Sequence, residues 1–221
     1  MRKINILYSL VIIALLQSTC FVFAQGPARF NDEVAELTAN DQSLNKKNIV
    51  LFTGSSSIRM WKSLQSDFPK YNIVNRGFGG SSTSDLLYYF DKLILPYKAK
   101  KIFIYEGDND LSSGKSPEQV ISTMDSVITL IRQKVSASVP VYLISPKPST
   151  SRWHLKDKYV DLNKRLSHLA SSKKEVYFVD VWTPALDAEG NVVKDIFLED
   201  GLHMNRKGYE IWINVIKKYL P

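Results

Sequence analysis

Four short segments of the sequence carry side chains that can take part in catalysis, although they lie far apart along the chain. They are Gly54-Ser55-Ser56-Ser57, Arg76-Gly77-Phe78-Gly79-Gly80, Glu106-Gly107-Asp108-Asn109-Asp110 and Asp200-Gly201-Leu202-His203. A serine hydroxyl attacks a carbonyl carbon only if a base removes its proton and hydrogen-bond donors stabilise the resulting oxyanion. Together the segments supply a hydroxyl, an imidazole, a carboxylate and several donors, which is the set that nucleophilic acyl transfer requires.

Each candidate residue has a predicted role in such a reaction. Ser56 follows a predicted strand and precedes a predicted helix, so its hydroxyl should be exposed at the edge of a sheet and its backbone N–H should be available as a donor. Gly80 permits the close approach of a second backbone N–H, and Asn109 offers a side-chain amide. His203 is the candidate base, with Asp200 three residues before it. Taken singly, each segment is also typical of an ordinary turn, and it is their order along the chain that indicates a site.

The elements that must position these residues follow an alternating pattern of strands and helices. Five short apolar, β-branched or aromatic runs predict strands at 48–53, 71–75, 101–105, 139–145 and 175–181. Apolar spacings of three and four predict helices at 58–68, 84–92, 117–135, 156–171 and about 205–219, with a further candidate at 29–40. This alternation indicates an α/β fold with a parallel sheet covered on both faces. Because ligands bind at the carboxyl ends of such strands, we expect the four segments to meet there.

The N-terminal residues 1–24 have the features of a secretory signal peptide. Two basic residues precede an apolar run at 6–16, and small residues end at Ala24. The run is shorter than the roughly 20 residues that a spanning helix needs. Lipid attachment at Cys20 is the alternative, although glutamine occupies a position where an aliphatic residue is expected. Both routes export the protein, so we expect a secreted or periplasmic chain whose single catalytic domain covers residues 25–221.

Composition limits the functional classes that the mature chain can belong to. Cys20 is the only cysteine, so a chain cleaved after Ala24 has no disulfide. The three histidines, His154, His168 and His203, do not have metal-ligand spacing, and we expect no metal and no cofactor. The full sequence has a formal net charge of +7. Its lysines and arginines are scattered and do not form a stripe with aromatic residues, which argues against nucleic-acid binding.

The four segments resemble the motifs of the SGNH hydrolases, also called GDSL esterases, a family named for a Ser, a Gly, an Asn and a His on separate motifs. The resemblance extends over about residues 48–212. It places Ser56 at the catalytic serine, Gly80 and Asn109 at the oxyanion-hole positions, and Asp200 and His203 in the Asp-x-x-His signature. The resemblance implies a three-layer α/β/α sandwich with a five-stranded parallel sheet in flavodoxin-like order.

The same resemblance implies the reaction, namely hydrolysis of esters by Ser-His-Asp acyl-enzyme chemistry. Short-chain acyl esters, acetyl esters among them, are the expected substrates, and export makes an extracellular glycan a reasonable alcohol. One departure from the family pattern is Ser55, which stands where an aspartate usually precedes the nucleophile. We associate this with a branch of the family that has Gly-Ser-Ser-Ser-Ile-Arg and a nearby tryptophan, here Trp61. Ser55 and Ser57 flank the candidate, so the assignment among the three serines stays open at this point.

Several alternatives remain open from the sequence. The same triad can pass an acyl group to a sugar hydroxyl, which would make the protein an O-acyltransferase, or the scaffold can be a non-catalytic glycan-binding protein. The loop after the fourth strand contains Arg152 and Trp153, which are candidates for substrate binding or, equally, parts of a solvated loop with one packed tryptophan. The expected partner is a small-molecule or glycan ester, with no stable membrane span after cleavage. The sequence does not indicate an oligomeric state.

Overall fold

A five-stranded parallel β-sheet runs through the computed structural model, which describes residues 26–220. In chain order the strands are β1 (Ile49–Gly54), β2 (Asn72–Gly77), β3 (Lys101–Tyr105), β4 (Val141–Ile144) and β5 (Val176–Val179). In space they follow the order β2-β1-β3-β4-β5, and each pair of neighbours is parallel. This is the flavodoxin-like order, so the predicted α/β fold is confirmed.

Nine α-helices connect and flank the strands within the described part of the chain. They are α1 (Asn31–Thr38), α2 (Ser56–Arg59), α3 (Leu64–Asp67), α4 (Thr83–Tyr88), α5 (Phe90–Leu93), α6 (Asp108–Ser112), α7 (Pro117–Leu130), α8 (Lys156–Ser171) and α9 (Arg206–Ile216). Helix α8 has the bounds predicted from its apolar spacing. Helix α7 continues as a π-helical turn at Ile131–Val135, and the two together cover the predicted 117–135. Short 3₁₀ turns lie at Pro27–Phe30, Asp41–Ser43, Leu95–Tyr97, Trp153–Leu155, Thr183–Ala185, Lys194–Ile196 and Lys217–Tyr219.

Two predicted helices, 58–68 and 84–92, are each divided into two short ones. The first is interrupted at Trp61, whose side chain is buried in the core while its indole N–H donates to the Asp67 carboxylate at 2.7 Å. The second is interrupted at Tyr89, which is also buried and whose hydroxyl donates to the carbonyl of Pro27 at 2.9 Å. In both predicted helices, a large aromatic side chain is buried while its polar atom makes a hydrogen bond. The regular helix is interrupted at that residue.

Alternation of side chains along the strands divides the core into two layers. On one side of the sheet, Leu51 and Leu143 pack with residues of α1, α4, α5, α7 and α8. On the other side, Phe52, Phe103 and Tyr142 pack with residues of α2, α3 and α9. The ring of Phe103 stacks against those of Phe52 and Tyr142, with centroids 4.5 and 4.4 Å apart. The helices thus cover both faces, which gives the expected three-layer sandwich.

The carboxyl ends of β1, β2 and β3 lead directly into the first three candidate segments. Gly54 ends β1 with a φ of +123°, and a Cβ there would lie 2.0 Å from the carbonyl oxygen of Tyr105. Gly107 follows β3 with a φ of +106°, and its Cβ would lie 2.9 Å from the side chain of Leu162. Both positions require glycine. The fourth segment, 200–203, precedes α9 and reaches the same edge of the sheet, where His203 contacts Ser56.

The predictions for the N-terminus concern residues that the structure does not describe. The signal peptide at 1–24 and the alternative lipid attachment at Cys20 both lie outside residues 26–220. Within those residues no helix has the length and hydropathy that crossing a bilayer requires. The longest, α8, has 16 residues.

Candidate active site

Ser56, His203 and Asp200 form a continuous chain of hydrogen bonds at the carboxyl edge of the sheet. Nε2 of His203 lies 3.0 Å from Oγ of Ser56, and Nδ1 of His203 lies 2.5 Å from Oδ2 of Asp200. With its proton on Nδ1, the imidazole donates to the carboxylate and accepts from the serine hydroxyl. Residues 147 positions apart are therefore in contact, as the sequence predicts. In this geometry the imidazole can remove the proton from the Ser56 hydroxyl.

The loop around Asp200 holds this carboxylate in its ionised form. Burial by itself would raise the pKa of Asp200, but hydrogen bonds from the His203 ring and from the backbone N–H groups of Leu202 and His203 lower it to about 2. The carbonyl of Gly201 accepts hydrogen bonds from the Thr150 hydroxyl at 3.0 Å and the Ser151 N–H at 3.1 Å. The loop after β4 thus anchors the segment that carries the base.

The three neighbouring serines of the first segment have different surroundings. Ser55 and Ser57 are buried, with 1% and 3% exposure. The Oγ of Ser55 accepts a hydrogen bond of 2.6 Å from Nδ2 of Asn109. Ser56, the first residue of α2, is partly exposed and contacts His203. Among these serines, Ser56 is the one that the structure places against an imidazole.

The three predicted oxyanion donors lie on adjoining loops around Ser56. Among the described residues, the backbone N–H groups of Ser56 and Gly80 have no hydrogen-bond acceptor. Gly80 is exposed, and a Cβ built on it would lie 3.9 Å from Nδ2 of Asn109. The N–H of the preceding Gly79 donates to the Glu33 carboxylate at 2.8 Å, which holds this loop on α1. The structure therefore places Gly80 near the Asn109 amide, and that amide contacts Ser55, the neighbour of Ser56.

The side-chain amide of Asn109 is fixed at both of its ends. Nδ2 donates to the Ser81 carbonyl at 2.8 Å as well as to the Ser55 hydroxyl, and Oδ1 accepts from Nη2 of Arg152 at 3.0 Å. Ser81 in turn donates its hydroxyl to the buried Glu106, at 2.7 Å. Burial raises the pKa of Glu106 well above its ordinary value, and the nearby carboxylate of Asp110 adds to this effect.

A buried ion-pair cluster around Asp108 is linked to the Asn109 amide through Arg152. Oδ1 of Asp108 accepts a hydrogen bond from Arg152 at 2.5 Å and another from the hydroxyl of Tyr159. Oδ2 accepts from the hydroxyl of Tyr105 at 2.9 Å and lies 3.5 Å from Nζ of Lys147. Burial would raise the pKa of Asp108, but the charges of Lys147 and Arg152 lower it to about 2. This cluster was not predicted from the sequence, although Asp108 follows β3, and Lys147 and Arg152 follow β4, at the same edge of the sheet. Among residues 26–220, no three or more His, Cys, Asp or Glu side chains are grouped as a metal site requires.

Replacing Asp108 by asparagine is expected to destabilise the fold by about 3–5 kcal/mol, because the buried charge of Lys147 loses its partner. The lowered pKa means that the contribution of Asp108 is complete above its ordinary value of 3.8 and is lost as the pH falls towards 2. Urea unfolding of both proteins between pH 7 and pH 2 measures this. Asp195→Asn is the matched control, since its ion pair with Lys207 is about two-thirds exposed and should give no measurable change. A small effect of Asp108→Asn would contradict the proposed pairing.

The two predicted substrate-binding residues differ in their surroundings. The guanidinium of Arg152 is engaged by Asp108 and Asn109, and its side chain is 16% exposed. Trp153 is half-buried, packs against Trp182 with ring centroids 5.9 Å apart, and lines a groove of about 580 Å³. The other lining residues are Thr150, Asp187, Asn191, Val192, Val193 and Lys194. Because Thr150 also binds the Gly201 carbonyl, the groove adjoins the loop that carries His203.

Solved structures resemble this one over most of its length. A candidate platelet activating factor from Streptococcus pneumonia is 23% identical, with a TM-score of 0.77, covering 98% of this chain and 100% of its own. A GDSL-like lipase from Bacteroides thetaiotaomicron is 22% identical, with a TM-score of 0.68 and coverage of 88% and 97%. A variant of an acetyl-xylooligosaccharide esterase from Geobacillus Stearmophilus is 15% identical, with a TM-score of 0.64 and coverage of 78% and 93%. At these identities the likeness establishes the fold.

The sequence itself provides the family assignment. No curated protein matches it in sequence. Residues 37–211 match the GDSL-like Lipase/Acylhydrolase family, a range that contains all four candidate segments. A match of this length, on a chain with the same fold as a GDSL-like lipase, leads to one conclusion: this protein belongs to the GDSL-like lipase/acylhydrolase family.

Proposed function

We propose that this protein is a secreted serine esterase that hydrolyses short-chain acyl esters, including acetyl esters of carbohydrates, through an acyl-enzyme intermediate. The observation that carries the proposal is the hydrogen-bonded chain from Ser56 through His203 to Asp200, with distances of 3.0 and 2.5 Å. Membership of an acylhydrolase family supports an ester substrate. The signal peptide expected at 1–24 supports secretion.

In the first half of the reaction, Oγ of Ser56 forms a bond to the ester carbonyl carbon while its proton passes to Nε2 of His203. Asp200 remains a carboxylate and stabilises the imidazolium. The carbonyl oxygen becomes an oxyanion that accepts hydrogen bonds from the N–H groups of Ser56 and Gly80 and from the Asn109 amide. The bond to the alcohol oxygen then breaks, and that oxygen takes the proton from His203.

In the second half, water attacks the acyl group on Ser56 as its proton passes to His203. The tetrahedral intermediate uses the same donors, and its collapse releases the acid and returns the proton to Ser56. Without substrate, Nδ2 of Asn109 donates to Ser55 and Ser81. An oxyanion accepts stronger hydrogen bonds than a neutral hydroxyl, so we expect it to replace Ser55 as the acceptor of this N–H.

The groove beside Trp153 supports a carbohydrate as the alcohol part of the substrate. The indole and the side chains of Val192 and Val193 form apolar walls, while Asp187 and Asn191 supply polar groups. Such a combination suits a sugar ring, which has an apolar face and hydroxyls at its edge. A structural neighbour that acts on acetyl-xylooligosaccharides is consistent with this substrate class.

A panel of acetyl, butyryl and longer esters, together with acetylated xylooligosaccharides, tests the proposal. We expect acetyl esters to be hydrolysed fastest, because the imidazole of His203 contacts Ser56 and the apolar groove beside Trp153 is assigned to the alcohol part of the substrate, not to a long acyl chain. Release of free acid is measured with and without added saccharide. Transfer of the acyl group to the saccharide in place of acid release would indicate an O-acyltransferase. Binding of the glycan without any turnover, and without labelling of Ser56 by a fluorophosphonate, would indicate a glycan-binding protein and end the proposal.

A further inference from the structure

Arg152 connects a buried ion-pair cluster to the proposed oxyanion donor Asn109. Its Nη1 lies 2.5 Å from Oδ1 of Asp108, and its Nη2 donates to Oδ1 of Asn109 at 3.0 Å. A guanidinium is a planar fork, so fixing one of its nitrogens also restricts the direction of the other. The position of Asp108 therefore determines where Arg152 presents a donor to the amide.

The contacts of Asn109 make only one orientation of its amide favourable. The oxygen end faces the guanidinium of Arg152, and the nitrogen end faces the carbonyl of Ser81. In the reversed orientation, the amide nitrogen would face the N–H donors of Arg152. The amide oxygen would face the carbonyl oxygen of Ser81, so neither end would have a hydrogen bond there. Arg152 and Ser81 thus act together to direct the other N–H of Asn109 towards Ser55, the residue that precedes Ser56.

The anchor of Arg152 is rigid, because both carboxylate oxygens of Asp108 also contact other side chains. Tyr159 and Arg152 share Oδ1 of Asp108, and Tyr105 and Lys147 approach Oδ2. The Asp108 side chain is 6% exposed and that of Arg152 is 16% exposed, so water competes little for these contacts. A buried charged side chain held in this way keeps its geometry as substrate enters and leaves.

We propose that Arg152 is a positioning residue that acts on the reaction through Asn109, by keeping the amide N–H groups directed at the developing oxyanion. This inference rests on the proposed function, in which Asn109 is an oxyanion donor. It replaces the expectation that Arg152 binds substrate. The effect belongs to the transition state, because the ground-state carbonyl gains less from these donors than the oxyanion does.

Steady-state kinetics on Arg152→Ala, Asn109→Ala and the double variant test the proposal. We expect Asn109→Ala to lower kcat by about 100-fold or more, and Arg152→Ala to lower it by about 10-fold or more with little change in KM. In the Asn109→Ala background, Arg152→Ala should have almost no further effect on kcat, since both changes remove the same interaction. Guanidinium ion, added well below unfolding concentrations, should restore part of the activity of Arg152→Ala but none of that of the double variant.

Other outcomes separate the possible failures. A rise in KM at unchanged kcat, additive with Asn109→Ala, would identify Arg152 as a substrate-binding residue and overturn the inference while leaving the proposed function intact. If Asn109→Ala itself left kcat unchanged, the proposed oxyanion hole would be wrong, and the inference would fall with it. Arg152→Lys is the second variant, in case Arg152→Ala does not fold. It keeps the charge beside Asp108 but loses the fork, so we expect normal thermal unfolding with reduced kcat.

Discussion

Changing Ser56 to alanine is expected to lower kcat for an acetyl ester by about 10⁴-fold or more, because no other group can form the acyl-enzyme intermediate. The residual rate comes from substrate binding and the oxyanion donors, which the substitution leaves in place. The alcohol is partly exposed and holds no part of the core, so the thermal unfolding temperature should change little. Initial rates with purified protein and labelling by a fluorophosphonate measure the two consequences of losing the nucleophile.

Ser55 and Ser57 provide matched controls at adjacent positions. Ser55→Ala removes an acceptor for the Asn109 amide, and Ser57→Ala removes a buried hydroxyl, but neither changes the atoms in contact with His203. Both variants should keep kcat within about 10-fold of the wild type, since neither residue forms the covalent bond. Full activity in Ser56→Ala, combined with its loss in either neighbour, would move the nucleophile to that serine.

The sequence predicts the placement of the candidate site well because the topology leaves little choice. Segments that follow β1, β2 and β3 must lie at one edge of a parallel sheet, and this brings Ser56, Gly80 and Asn109 together. The Asp-x-x-His spacing predicts that Asp200 and His203 interact, and the structure places them in hydrogen-bond contact. The strand order followed from the family resemblance, since alternating strands and helices alone are compatible with other doubly wound orders.

Features that depend on tertiary burial could not be predicted from local patterns. The apolar spacing over 58–68 is that of one helix, but burying Trp61 with its N–H on Asp67 interrupts it. Lysine is normally a surface residue, so nothing in the sequence around Lys147 indicates that it is 2% exposed beside Asp108. The hydrogen bond from Arg152 to Asn109 depends on the same buried cluster, because Asp108 fixes the position of the guanidinium. The sequence could at most indicate that their loops adjoin, because both follow strands of the same sheet.

Loss of the proposed base should be as damaging as loss of the nucleophile. We expect His203→Ala to lower kcat by about 10⁴-fold or more, because the hydroxyl of Ser56 then has no group to take its proton. Ser56 would remain in place, so substrate binding and KM should change far less than kcat. The matched control is His168→Ala. His168 is exposed on α8 and its side chain has no hydrogen bond among the described residues, so activity should be unchanged.

Asp200→Asn tests the orientation of the base separately from its presence. The amide occupies the same space, but it lacks the charge that stabilises the imidazolium and can hold His203 in the wrong tautomer, so we expect kcat to fall by about 10²–10⁴-fold. Because hydrogen bonds hold the pKa of Asp200 at about 2, its carboxylate stays ionised throughout the range from pH 8 to pH 4. We therefore expect any loss of wild-type activity on acidification within that range to come from another group. An unchanged kcat of Asp200→Asn at pH 8 would show that the carboxylate does not serve the base in this way.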